Sequence, residues 1–190
     1  MSAASPIEFT IDSLHSRWQA MPAGAHAQDI AADWLRDIAG TAAADGLHRD
    51  VRSRPRLAQG DISWSHSHGR LLIAYSEHAR IGVDVESHSR HTDPLRIARR
   101  FFAEEEIAAL EALAGDARRS AFLRLWCAKE AVLKADGRGI AFGLHKLVFE
   151  VAGGALRMQR CDPALGHVDD WRLHVIEPEP DYIAVLAATA

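Results

Sequence analysis

The sequence predicts an α+β fold of two similar lobes, with mostly antiparallel strands packed against helices. Three observations predict it. Apolar and polar residues alternate with the period of half-buried strands at 7–11, 62–65 and 81–86, and again beyond residue 147. Helical apolar spacing runs over 25–39 and again after Asp116. A helix followed by antiparallel strands occurs in both halves, with the join near Gly82, so the chain reads as an N-terminal lobe (1–81) and a C-terminal lobe (82–190) in one compact body.

In order along the chain, Ile7, Phe9 and Ile11 alternate with Glu8 and Thr10 in a first strand. A helix follows over 25–39, with Ala27, Ile30, Ala31, Trp34, Leu35 and Ile38 on one face. An arginine-rich loop carries Arg49, Arg52, Arg54, Pro55 and Arg56. Ile62 and Trp64 begin a strand whose hairpin partner spans 71–76, across Ser67, His68 and Gly69. Ile81, Val83 and Val85 alternate with Gly82, Asp84 and Glu86. A helix starts at Pro94, with Thr92 or Asp93 as cap and proline at the first helical position. Another covers 104–113, and a longer one runs from Asp116 to the stop signal Gly137. Strands follow at Leu147, Phe149 and Val151, at Trp171, Leu173 and Val175, and over 182–186, with Gly153-Gly154 as a hairpin turn.

Composition bounds the function. With 190 residues, 48% of them hydrophobic and 25% charged, the chain can fill a core and keep a soluble surface. A net charge of −4 supplies no global positive field, so nucleic-acid binding is not expected. Cys127 and Cys161 form no Cys-x-x-Cys pair, which argues against a disulfide framework or a zinc site and suits a reducing compartment. The N-terminal residues lack a basic segment followed by an apolar one, and the longest apolar stretch, 183–188, is far short of the ~20 residues a spanning helix needs. The expectation is a cytoplasmic protein with no membrane partner.

Asp84 and Glu86 lie two apart on a strand and share a face, while Val83 and Val85 point to the core. Paired carboxylates repel unless a cation neutralises them, and Mg²⁺ takes such oxygens together with substrate phosphate. A solvated polar face on an edge strand is the plain alternative. On the long helix, Phe122, Leu125, Trp126 and Leu133 form an apolar stripe with Lys129 in its middle, where an ammonium must snorkel or find an anion. Glu130 lies at the stripe's edge with Lys134 one turn on, a spacing that also fits an ordinary ion pair. Ser65-His66-Ser67-His68-Gly69 suits either a phosphate-binding turn or a plain hairpin turn. The run 49–56 is a solvated basic loop or, through its guanidinium forks, a phosphate site. Cys127 reads as a small packing residue, and Glu104, Glu105 and Glu106 as a solvated first helical turn.

In chain order, these features are Ser65-His66-Ser67, Gly82-Val-Asp84-Val-Glu86, Phe101-Phe102-Ala-Glu-Glu-Glu106, and Trp126-Cys-Ala-Lys129-Glu130-Ala-Val-Leu-Lys134 followed by Gly137-Arg-Gly139. Over about 54–140 this order resembles the 4′-phosphopantetheinyl transferases of the surfactin-synthetase-activating (Sfp) type. The resemblance implies that family's fold and its activity: transfer of the phosphopantetheine arm from coenzyme A to a serine of an acyl or peptidyl carrier protein, with release of 3′,5′-ADP. It implies Mg²⁺ on Asp84, Glu86 and Glu130, with Glu130 also the base for the carrier serine. Lys134 would stabilise the pyrophosphate and protonate the leaving group. Ser65, His66 and Arg54 would contact coenzyme A, placing those contacts in the first lobe and the metal site in the second. Trp126 and Lys129 would support the helix, and Glu106 falls where some members carry an auxiliary acid. Members often carry Ala-His-Arg near the first helix. Here Ala25-His26 precedes Ala27, so Arg49 or Arg52 would have to substitute. His68 looks like an insertion before Gly69, and the chain is short for the type. With the Asp motif mid-chain, a monomer is expected. The competing readings are another Mg²⁺-dependent, pyrophosphate-cleaving enzyme and a non-catalytic module that binds coenzyme A or a carrier protein.

Overall fold

The computed structural model describes residues 5–90, 92–152 and 155–189. Strands β1 (Ile7–Ile11), β2 (Leu14–Ala20), β5 (Asp61–Ser67) and β6 (Arg70–Ser76) form an antiparallel sheet in the order β1-β2-β6-β5. A second antiparallel sheet has the order β10-β11-β7, from β7 (Ile81–Ser87), β10 (Trp171–Ile176) and β11 (Tyr182–Thr189). Two small hairpins pair β3 (His48–Arg49) with β4 (Pro55–Arg56), and β8 (Leu147–Ala152) with β9 (Ala155–Cys161). The helices are α1 (Ala27–Ala39), α2 (Thr41–Asp45), α3 (Pro94–Phe101), α4 (Glu104–Glu111) and α5 (Gly115–Asp136).

The alternation of each strand decides the layering. Leu71, Ile73 and Tyr75 of β6 pack with Ala31, Trp34 and Leu35 of α1, whereas Leu72 and Ala74 turn to the other side. There they meet Val83, Val85, Ala184 and Leu186 of the second sheet. The opposite face of β11, with Ile183, Val185 and Ala187, packs on Phe122, Ala128 and Val132 of α5. The result is helix, sheet, sheet and helix, the mixed α and β architecture with antiparallel strands that the sequence predicts. Gly82 fixes how closely α5 approaches: a Cβ there would lie 2.0 Å from the Ala131 carbonyl oxygen and 2.5 Å from the Ala135 nitrogen.

Helix limits follow their caps. The Asp93 side chain accepts from Leu95 N and Arg96 N, and Pro94 opens α3. Gly137, at φ 88°, closes α5 in the left-handed conformation. His68 and Gly69, at φ 46° and 77°, form the two-residue turn between Ser67 and Arg70, so His68 is a central residue of a primed hairpin turn.

Several elements differ from expectation. The first helix begins at Ala27 and the fourth ends at Glu111. The sequence does not signal strand β2, because buried Ser16 stands between Leu14 and Trp18 and hides their alternation. Nor does the sequence signal strand β9, four of whose seven residues are exposed. Gly153-Gly154 lies outside the described residues. Among the described residues, no helix is long and apolar enough to cross a membrane.

Candidate active site

Strand β7 turns Gly82, Asp84 and Glu86 toward α5, and α5 answers with Cys127, Glu130, Ala131 and Lys134. The paired carboxylates are not on a solvated edge: Asp84 is 6% and Glu86 8% exposed. Lys134 does not bridge to Glu130 one turn back. Its Nζ crosses to β7 and donates to the Val83 carbonyl at 3.0 Å and to Asp84 Oδ1 at 2.8 Å. Ser65 Oγ donates to the same Oδ1 at 2.8 Å. Asp84 Oδ2 is buried and has no hydrogen-bond partner among the described residues. Glu86 is held on one oxygen by Arg90 and on the other by Ser67 Oγ at 3.4 Å. The Arg90 guanidinium lies 5.6 Å from the Trp126 ring centre, and Trp126 stacks on Phe102 and packs at a tilt against Phe122.

The electrostatics report crowding of negative charge. Burial first, and then the charge of Asp84, push Glu86 up to about 7 against the pull of Arg90. Glu130 is raised for the same two reasons. The buried thiol of Cys127 is pushed well up by burial, by the charges of Asp84 and Glu86 and by the closeness of its sulfur to the Asp84 carboxylate, so it lies behind the pair.

Among the described residues, no three His, Cys, Asp or Glu side chains are drawn together as metal ligands; Lys134 and Arg90 neutralise the carboxylates instead. The donor set nevertheless suits a hard divalent cation. It is all oxygen, its members repel one another, and one buried carboxylate oxygen is unpartnered.

Basic groups lie beside the acids. Arg49, Arg52, Arg54, Trp64, Lys134 and Gly137 line a cavity of about 210 Å³. A neighbouring groove of about 410 Å³ shares Arg49 and Trp64 and adds His26, Gln28 and His66. Arg49 stands over Trp64, 5.1 Å from its ring centre, and donates to Gln28 on α1. It thus occupies the groove where Ala27 supplies no charge. Arg54, 7% exposed, pairs with Asp61 and donates to the Lys134 carbonyl at 2.7 Å, while its Nη1 has no partner among the described residues. Ser65 and His66 face opposite ways, Ser65 to Asp84 and His66 to the groove.

Lys129 meets the expectation set by its place in the apolar stripe. It is fully buried and has found its anion, Glu106 Oε2 at 2.7 Å, with further acceptors at the Leu144 and Leu147 carbonyls. The reading of 104–106 as a solvated turn fails at Glu106, which is 2% exposed. Besides Lys129, Glu106 accepts from Ala103 N at its own helix start and from Phe149 N, where the β8–β9 register shifts. A larger cavity of about 590 Å³ between α4, α5 and β8 includes Glu106 but none of Asp84, Glu86 and Glu130.

Sequence reasoning missed Arg90, which no motif flags, and Asp61, which holds Arg54 and accepts from Ile81 N. The spacing of Asp61, Ser63, Ser65 and Ser67, a polar face on one strand, was the available signal for the second.

Taken together, the fold and site define a mixed α/β protein with a buried acidic pair beside a basic groove. The family model described as the 4′-phosphopantetheinyl transferase superfamily matches residues 80–187. The chain belongs to that superfamily. It is 39% identical over 147 residues to the 4′-phosphopantetheinyl transferase HetI of Nostoc sp., covering 73% of this chain and 59% of that one. It is 38% identical over 109 residues to a putative 4′-phosphopantetheinyl transferase, slr0495, of Synechocystis sp. (57% and 43%). With the 4′-phosphopantetheinyl transferase Sfp of Bacillus subtilis it shares 36% over 92 residues (47% and 39%). The chain spans about half the length of the curated relatives it matches. A crystal structure of holo-[acyl-carrier-protein] synthase from Thermotoga maritima aligns with a TM-score of 0.44 and 21% identity, over 57% of this chain and 61% of that one.

Proposed function

We propose that this protein transfers the 4′-phosphopantetheine arm of coenzyme A to a serine of an acyl or peptidyl carrier protein and releases 3′,5′-ADP. The observation that carries the reading is the crossing of Lys134 to Asp84, which joins the acidic pair to the basic cavity that Lys134 also lines. Attack on a pyrophosphate calls for charge neutralisation and positioning more than for covalent chemistry, and that junction offers both.

Asp84, Glu86 and Glu130 would hold a magnesium ion, which supplies charge neutralisation at the pyrophosphate. Glu130, held at a raised pKa by burial and by Asp84, suits the acceptance of the carrier serine's proton, directly or through a water. The Lys134 ammonium donates a proton to the leaving 3′,5′-ADP. Arg49, Arg52, Arg54 and His66 offer cationic and hydrogen-bonding groups for the coenzyme's phosphates, and Trp64 a face for its base. The lobes divide as 1–81 and 82–190, so one chain supplies both walls of the site. That supports a monomer, and we place its work in the cytoplasm.

Incubation with coenzyme A, Mg²⁺ and an apo-carrier tests the reading. It predicts 3′,5′-ADP appearing in step with carrier modification. Pyrophosphate cleavage without a modified carrier would favour a hydrolase, and binding without turnover a non-catalytic module.

A further inference from the structure

We infer that Ser65 is a positioning residue that sets Asp84 for a divalent cation, not a contact to the coenzyme's phosphates. The inference rests on the reading of Asp84 as a metal ligand in the proposed transferase.

The inner face of β5 is polar at every second residue, and each of these side chains meets β7. Asp61 Oδ2 accepts from Ile81 N at 2.8 Å, and Ser63 Oγ accepts from Val83 N at 3.1 Å. These two satisfy the edge of β7 that faces away from β11. Farther along, the roles reverse: Ser65 donates to Asp84 Oδ1 at 2.8 Å and Ser67 to Glu86 Oε2 at 3.4 Å. The two-residue spacing of the serines matches that of the carboxylates, so one register serves both.

A serine hydroxyl has a single proton. With that proton given to Asp84, Ser65 offers a phosphate only its lone pairs, which repel an anion. Ser65 is also 8% exposed, whereas the exposed His66 faces the groove on the opposite side of the strand. Ser65 and Lys134 together pin Oδ1 and fix the rotation of the carboxylate. Oδ2 is thereby left buried with no hydrogen-bond partner, beside only the weakly donating Cys127 thiol, and so open to a cation.

The test measures Mn²⁺ binding to the metal-free protein by electron paramagnetic resonance, which needs no turnover, together with KM for coenzyme A. Ser65→Ala should weaken Mn²⁺ by about tenfold or more, the usual cost of losing a residue that orients a ligand. KM for coenzyme A at saturating metal should stay near wild type. Ser65→Thr, which keeps the hydroxyl, should restore Mn²⁺ affinity, and His66→Ala should leave it unchanged. If the alanine variant does not fold, Ser65→Cys, of similar size but a weak donor, should show the same loss. Unchanged Mn²⁺ affinity with a raised KM for coenzyme A would overturn the inference in favour of a phosphate contact. A wild type that binds no Mn²⁺ would also overturn it. A wild type that binds Mn²⁺ but modifies no carrier would defeat the transferase reading alone, and the Ser65 comparison would still decide this inference.

Discussion

Lys129 Nζ lies 2.7 Å from Glu106 Oε2, and neither side chain reaches water. The pair ties α5 to the start of α4, and through Phe149 N and the Leu147 carbonyl to β8. Burial lowers Lys129 to about 8, with Glu106 opposing the shift. The pair sits one residue from Glu130 and braces the helix that carries the site.

The first prediction follows from that burial. Removing one member leaves the other charge buried and unpaired, so Lys129→Met should destabilise the protein by about 3–5 kcal/mol. The double variant Lys129→Met, Glu106→Gln should recover part of this loss. Urea unfolding of the single and double variants checks it; equal losses in both would show that the ion pair is not what matters.

The second prediction separates Glu130 from Lys134. As a mere surface pair, either substitution would cost a few tenths of a kcal/mol and leave activity alone. The structure shows no such pair, and the proposed roles differ. Glu130→Gln should lower kcat by about 10²-fold or more and weaken the apparent Mg²⁺ affinity. Lys134→Ala should lower kcat by about 10²-fold, because its charge acts on the leaving group. It should change Mg²⁺ affinity less than Glu130→Gln, because the lost bond to Asp84 Oδ1 is offset by removal of an ammonium that competes with the cation. Steady-state kinetics across a Mg²⁺ series distinguishes the two, and near-normal rates in both would remove α5 from the chemistry.

His66 gives the third prediction. It faces the groove and not the carboxylates, so His66→Ala should raise KM for coenzyme A by about tenfold and change kcat less. Dephospho-coenzyme A should be a poorer substrate than coenzyme A for the wild type and lose most of that disadvantage in the variant. An equal preference in both proteins would make His66 a bystander.

The fourth concerns pH. In protein stripped of divalent cations Glu86 titrates at about 7, whereas an unfolded glutamate titrates at about 4.3. Between those values the folded state holds the extra proton. The stability this confers is full below the unfolded value and is lost as pH rises through about 7. Thermal melts in chelator should therefore fall between about pH 5 and pH 8, and Glu86→Gln should flatten that slope. Binding of Mg²⁺ needs the anion, so its apparent affinity should weaken as pH drops through the same range. A Tm in chelator that rises over this range, with Glu86→Gln behaving alike, would contradict the assignment.

How far the sequence reveals this site depends on the distance each signal spans. Asp84, Glu86, Glu130 and Lys134 are legible because strand and helix periodicity are local, and the apolar stripe marks Lys129 as needing an anion. Its partner is not legible. Three successive glutamates opening a helix look solvated, and the burial of Glu106 depends on β8 arriving with a register shift. The alternation of β5 separates Ser65 from His66, but which face meets β7 is decided by sheet packing. Arg90 reaches Glu86 from a short connection that carries no motif.

Group transfer at the site around Asp84 would show in the intact mass of an apo-carrier. Carriers of fatty-acid, polyketide and peptide synthases would each be incubated with coenzyme A, Mg²⁺ and either wild type or Asp84→Ala. A gain of about 340 Da, the phosphopantetheinyl group, is expected on at least one carrier with wild type. A folded Asp84→Ala protein should give no gain. No gain on any carrier, or an equal gain with both proteins, would contradict transfer at this site.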